Sequence, residues 1–320
     1  MSIGSQSAVC ALDDLGVLSF RGPDARRFLQ GQLSGDVAAL APGVLLRAGL
    51  HNPQGRTLAL LALLAPRPDE LLALLPRELL AATLQTLRRY VLRAKLSIAD
   101  ETGAHRLLGI APAAHAPADE ATGIEVAYDA HRRLRVLGAG DADLRPGLAR
   151  AHWRLLDIAA GLPQVYAPTS GQFVAQMLNL DCIGAISFDK GCYTGQEIIA
   201  RAHYRGRVKR RMQRFISGAP LRLAPGDTGR LADGRDFRVI EAAVRPDGRV
   251  EFLAVAALPA SGARPAAGAD VPSAGSDAAP GSDAAPESDA AADTEAGALA
   301  GPAGTFVPAQ ALPLPYPLPE

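Results

Sequence analysis

Cysteine is scarce in this 320-residue chain. The three present, Cys10, Cys182 and Cys192, are odd in number and show no Cys-x-x-Cys spacing. That excludes a disulfide framework and a thiolate metal knuckle, and it points to a reducing compartment, the cytoplasm. Long apolar runs are also missing. The longest, Leu58 to Ala65, is far short of the roughly 20 residues that span a bilayer. No basic region followed by an apolar core opens the chain, so no secretory signal and no membrane partner are expected. Aromatics are few, at 5%, with Trp153 the sole tryptophan. Net charge is zero, but unevenly spread. Residues 259–320 carry eight acids and one base, net −7, which leaves the body at +7.

Apolar residues make up 48%, enough for proper cores. Val17 to Phe20 reads as a strand, and Asp24 as the N-cap of a helix carrying Phe28, Leu29 and Leu33. Asn52-Pro53-Gln54-Gly55 is a turn before the strand Leu58 to Leu64. Leu71 to Leu75 is a second strand. The stripe Leu80, Leu84, Leu87, Val91 predicts a helix over 77–93. Residues 105–137 read as strands with a helix between them. Thr169 and Gln172 in capping-box spacing predict a helix over 169–180. Residues 207–258 read as β-rich, with Arg245-Pro246-Asp247-Gly248 turning a hairpin. In residues 259–303 alanine, proline, glycine, serine and aspartate dominate, and Gly-Ser-Asp-Ala-Ala-Pro occurs twice. Such a composition cannot bury enough apolar surface to order itself, so a disordered acidic insertion is expected there.

The stretch Lys190-Gly191-Cys192-Tyr193-Thr194-Gly195-Gln196-Glu197 concentrates chemistry. Thr194 and Glu197 have capping-box spacing, with Thr194 as the expected N-cap. Cys192 then lies near the positive end of a helix dipole, beside Lys190, and both favour the thiolate. The glycines permit backbone angles closed to other residues. The local pattern leaves two readings open: a helix start with an inert cysteine, or a reactive thiol.

The whole string, with Ala200-Arg201 and Tyr204-Arg205-Gly206, resembles the YgfZ family. The likeness continues in Gly22-Pro23-Asp24-Ala25, Phe28-Leu29-Gln30-Gly31-Gln32, Asn52-Pro53-Gln54-Gly55-Arg56 and Gly184-Ala185-Ile186-Ser187-Phe188. That family consists of folate-binding proteins that assist iron–sulfur cluster assembly or repair, similar to the glycine-cleavage T-protein. The resemblance implies an α+β fold of three domains. Residues 1–47 and 104–206 would form a discontinuous folate-binding domain, 48–103 an inserted α+β domain, and 207–258 with 304–320 a small β-barrel. It implies folate, in the tetrahydrofolate form, as cofactor, Trp153 in its pocket, and Cys192 and Lys190 as the working pair. Gly191, Tyr193, Thr194, Gly195, Gln196, Glu197 and Arg201 complete the motif. The partners implied are folate and iron–sulfur client or assembly proteins, with an indirect effect on tRNA thiomethylation.

Two departures stand out. Leu15 occupies the place of a second folate-contacting aromatic. T-proteins carry an aspartate pair after a glycine turn, whereas here Gly55-Arg56-Thr57-Leu58 follows and no carboxylate lies between His51 and Arg67. Arginine cannot act as a general base at neutral pH. A conventional aminomethyltransferase is therefore the second reading. A tRNA-binding module on the bases of 201–214 is the third; only Tyr204 and Phe215 interleave with them and no standard nucleic-acid motif is present, so direct nucleic-acid binding by the protein is not expected.

Overall fold

Leu58 to Ala65 is apolar at successive positions, so the strand it forms must be covered on both faces. The computed structural model describes residues 9–111, 123–140, 146–206, 208–259 and 306–319. In it β4 (Thr57–Arg67) is an interior strand of an antiparallel five-stranded sheet. Its partners are β2 (Leu15–Arg21), β3 (Leu46–His51), β5 (Glu70–Pro76) and β6 (Ser97–Asp100), in the order β3-β4-β5-β2-β6. This sheet unites strands on both sides of residue 48. Strand period 2 divides β5 between two cores. Leu71, Ala73 and Leu75 join Phe28 and Leu29 of α1 (Ala25–Gln32) and Leu80 of α2 (Arg77–Arg88). Leu72 and Leu74 join Trp153, Leu134 and Val136 on the other face.

A second, four-stranded antiparallel sheet supplies that other face. Its order is β1-β7-β9-β8, with β1 Val9–Ala11, β7 His105–Ile110, β8 Ile124–Ala127 and β9 Arg133–Gly138. The helix expected between β7 and β8 lies outside the described residues. Helix α3 (Arg150–Ala159) sets Trp153 into the second core and packs against the C-terminal sheet.

The third sheet has six strands. They are β10 (Arg210–Ser217), β11 (Thr228–Leu231), β12 (Asp236–Val244), β13 (Val250–Ala257), β14 (Phe306–Val307) and β15 (Ala309–Leu312). The order β14-β11-β12-β13-β10-β15 puts the last two strands at opposite edges, joined only by Pro308, so the sheet is a nearly closed barrel. Phe215, Phe252 and Phe237 fill it, with ring centroids 5.4 and 5.5 Å apart. The expected hairpin is present as β12–β13. The Pro-rich tail then leaves the barrel, and the Tyr316 hydroxyl donates to the Gly161 carbonyl at 2.7 Å. The low-complexity insertion expected at 259–303 lies almost wholly outside the described residues.

Two expected helices are corrected. Residues 169–180 form no α-helix, only short 3-10 turns at Ala167–Thr169 and Ala175–Leu178. The backbone bonds go elsewhere: Gly171 N donates to Thr57 O, and Thr57 N to Phe173 O, both at 2.8 Å. Gly171 at φ +71° turns the chain between them, and Asn179 at φ +55° ends the second turn. Helix α2 stops at Arg88, not Arg93, because Tyr90 and Val91 donate three residues back to Leu87 and Arg88. Asp24 does stand at the N-cap of α1, but its carboxylate accepts from Lys95 N at 2.7 Å and caps no helical N–H.

Candidate functional site

Three stretches distant in sequence meet around the Cys192 loop. The first is the exit of α1. Lys190 is 9% exposed, and its ammonium donates to the carbonyls of Gln30, Leu33 and Gly35 at 2.6, 2.6 and 2.9 Å. All three ammonium protons are thus committed at the negative end of a helix. Burial pushes Lys190 down to about 8, and Asp36 opposes this. With its donors taken, Lys190 holds the loop in place. Ser34 adds a second tie: its hydroxyl donates to Ala185 O at 2.7 Å and accepts from Gly49 N at 2.9 Å.

The second stretch is the Asn52–Gly55 turn, closed by Gly55 N donating to Asn52 O at 2.9 Å. Gly55 at φ +70° and Gly195 at φ +82° pack against each other. A Cβ on Gly195 would lie 2.5 Å from Asn52 O and 3.1 Å from Gly55 Cα. The third stretch is 172–179, where the Gln176 amide donates to Ile199 O at 2.7 Å. Arg56 bridges the last two, donating to Gln172 O at 2.9 Å.

Helix α4 (Gln196–Tyr204) therefore starts from Gly195, not from Thr194. The left-handed Gly195 is the N-cap, no side chain caps the helix, and the Thr194–Glu197 box is absent. Gly191 adopts no positive φ and has open space around its Cα, so only Gly195 needs its freedom. Tyr193 is buried, with its ring centroid 5.1 Å from Lys190 Nζ and 6.3 Å from that of His51. Burial pushes its phenol up to about 12. Gln196 is half-buried, and Glu197 and Arg201 are exposed.

Cys192 alone of the three cysteines is exposed. Burial pushes Cys10 and Cys182 up to about 11, which keeps those thiols protonated at neutral pH. The half-buried Phe188 stacks on the exposed His203 at 3.8 Å, and the exposed Tyr204 meets both edge-on at the end of α4. Among the described residues no three His, Cys, Asp or Glu side chains gather as a metal site.

Trp153 belongs to another part of the molecule. It is 1% exposed, its face covered by the Arg132 guanidinium at 4.6 Å and its edge met by Tyr128 at 5.3 Å. Arg132 is itself held by Asp129 and Asp157 at 2.6 and 2.9 Å. The cavity bounded by Leu15, Arg47, Tyr128 and Gln164 measures about 30 Å³, room for a water and too small for a pterin. Trp153 does not line that cavity, and Arg132 and Tyr128 cover its ring. Sequence reasoning found the loop but not its partners. Ser34 and Tyr128 carry no local spacing signal, because each acts through a contact distant in sequence.

No family model matches the chain. It is 36% identical over 283 residues to the tRNA-modifying protein YgfZ of Edwardsiella ictaluri, covering 78% of this chain and 85% of that one. It is 32% identical over 271 residues to the tRNA-modifying protein YgfZ of Enterobacter sp. strain 638, covering 75% and 82%. In fold it is similar to the glycine cleavage system aminomethyltransferase T of Bartonella henselae, with a TM-score of 0.58, 16% identity and 79% of each chain covered. With the motifs converging as described and relatives matched over most of their length, the chain belongs to the YgfZ family, on an α+β aminomethyltransferase-like fold.

Proposed function

We propose that the chain assists assembly or repair of iron–sulfur clusters in client enzymes, with Cys192 as its functional thiol and folate as its ligand. The carrying observation is the Cys192 loop. A cysteine is exposed at the centre of three interlocked motifs, while the other two thiols are withdrawn by burial. A thiolate sulfur is the iron-binding form of the side chain. With no gathered ligand set around it among the described residues, Cys192 acts on a cluster held by the client. Exposed His203 and Tyr204, backed by the half-buried Phe188, offer that client an aromatic contact. Lys190 positions the loop.

Folate enters this reading through family membership, and its docking requires Tyr128 and Arg132 to leave Trp153. Aromatic stacking of a pterin there adds about 0.5–1.5 kcal/mol beyond buried area. Titrating folate while following Trp153 fluorescence tests the pocket. Saturable quenching, corrected for folate absorbance and matched by folate retention in equilibrium dialysis that a folded Trp153→Phe variant loses, supports it; unchanged fluorescence refutes it. Reactivation of an oxidatively damaged cluster enzyme by purified protein tests the thiol, and equal reactivation by Cys192→Ala removes Cys192 from the mechanism. The second reading, a one-carbon transferase, has the T-protein-like fold in its favour and Arg56 against it.

A further inference from the structure

A basic concavity lies on the barrel, away from Trp153 and bordering the Arg56–Gln172 contact beside the Cys192 loop. It is a groove of about 890 Å³ between β10, β11 and β12 on one side and the Gln172–Met177 segment on the other. Arg56, Arg210, Arg230 and Arg238 line it, with Asp236 the single carboxylate, so its walls carry +3. The arginines come from four places in the sequence, and the basic run 201–214 contributes only Arg210. This is why the run gives no such expectation by itself.

The guanidiniums are anchored but not consumed. Arg56 donates to Gln172 O at 2.9 Å, and Arg238 to Gln172 Oε1 at 3.0 Å. Arg230 pairs with Asp236 at 3.0 Å, and Arg210 donates to the Asp236 carbonyl at 3.4 Å. A guanidinium has five N–H donors, and these bonds use one apiece. The remaining donors are suited to bidentate oxyanions. Phe306 lines the same groove with 59% of its surface exposed, although it opens a strand. An exposed aromatic among arginines is the combination that binds single strands: cations follow the backbone and a flat ring stacks on a base.

We propose that this groove binds the phosphate backbone of a single-stranded nucleic acid, with Phe306 as a base-stacking platform. The proposal is independent of the role assigned to Cys192. An acidic peptide would satisfy the arginines but leave the exposed ring without a flat partner.

Fluorescence anisotropy of a labelled oligouridylate or oligothymidylate of about 12 nucleotides, titrated with the full chain from about 50 mM salt upward, tests it. Binding is expected, with log affinity falling against log salt at a slope between about −2 and −3. Arg230→Ala, at a position 61% exposed and outside the core, is expected to reduce that slope by about 0.7. Phe306→Ala is expected to weaken binding at least about fivefold at unchanged slope. No anisotropy change at low salt, or binding indifferent to the combined Arg230→Ala and Arg238→Ala substitutions, overturns the proposal. Displacement by an oligoglutamate as effective as by unlabelled oligonucleotide of equal charge also overturns it and assigns the groove to acidic peptides.

Discussion

Lys190 Nζ lies 2.6 Å from the carbonyl oxygen of Leu33, and this contact fastens the Cys192 loop to the end of α1. Replacing Lys190 by Met leaves three carbonyls without their shared donor. Bonds to a buried charged group contribute about 1.5–3 kcal/mol each and are not additive, so a loss of about 2–4 kcal/mol is expected. Urea midpoints measure it. Lys190→Arg should fail to restore stability, since a planar fork cannot point three donors at one converging set of oxygens.

Gly195 and Gly191 flank the same cysteine, yet they should respond oppositely to alanine. Gly195→Ala brings a Cβ within 2.5 Å of Asn52 O at φ +82°, a backbone region costly for alanine. It should cost about 2 kcal/mol or more. Gly191→Ala enters open space and should stay within about 0.5 kcal/mol. Thermal melts of the two variants decide; equal losses would mean that the two turns do not interlock.

His51 gives the pH dependence. Burial pushes its imidazole from 6.5 down to about 3, against Thr57 and beneath Tyr193. Between those values the unfolded chain binds a proton that the folded chain refuses. Its contribution is therefore complete above pH 6.5 and is lost as pH falls toward 3. Well below 6.5 the loss approaches about 1.4 kcal/mol per pH unit. His51→Gln should remove that part of the slope in urea midpoints between pH 6 and 4. An unchanged slope would show that His51 is protonated in the fold.

The tail supplies a fourth test. Tyr316→Phe removes the donor to Gly161 O and should cost about 1 kcal/mol. A chain ending at Pro259 also loses β14 and β15, exposes the edges of β10 and β11, and should melt well below the Tyr316 variant. Equal melting temperatures would mean that the tail adds nothing to the barrel.

What was legible in the sequence follows how local each cause is. Pro246-Asp247-Gly248 between two apolar runs determines the β12–β13 hairpin within its own span, so the pattern reveals it. The doubly apolar 58–65 run announces a buried strand for the same reason. Residues 169–180 look helical because Thr169 and Gln172 are well spaced, but Thr57, over 100 positions away, takes their backbone bonds. Thr194 was eligible as a cap until Gly195 had to turn against Asn52. Lys190 is visible as a charge beside a cysteine, while its three acceptors lie in and just beyond the last turn of α1. In the site, sequence located the thiol and contacts distant in sequence assigned the neighbours their roles.

Cells lacking the chain and challenged with an oxidant provide the most direct test of the thiol. Each of Cys10→Ser, Cys182→Ser and Cys192→Ser is returned separately, and the activities of cluster-dependent enzymes are measured. The account predicts near wild-type activity with Cys10 or Cys182 changed and loss with Cys192→Ser at normal protein levels. Full activity from the Cys192→Ser chain would contradict it.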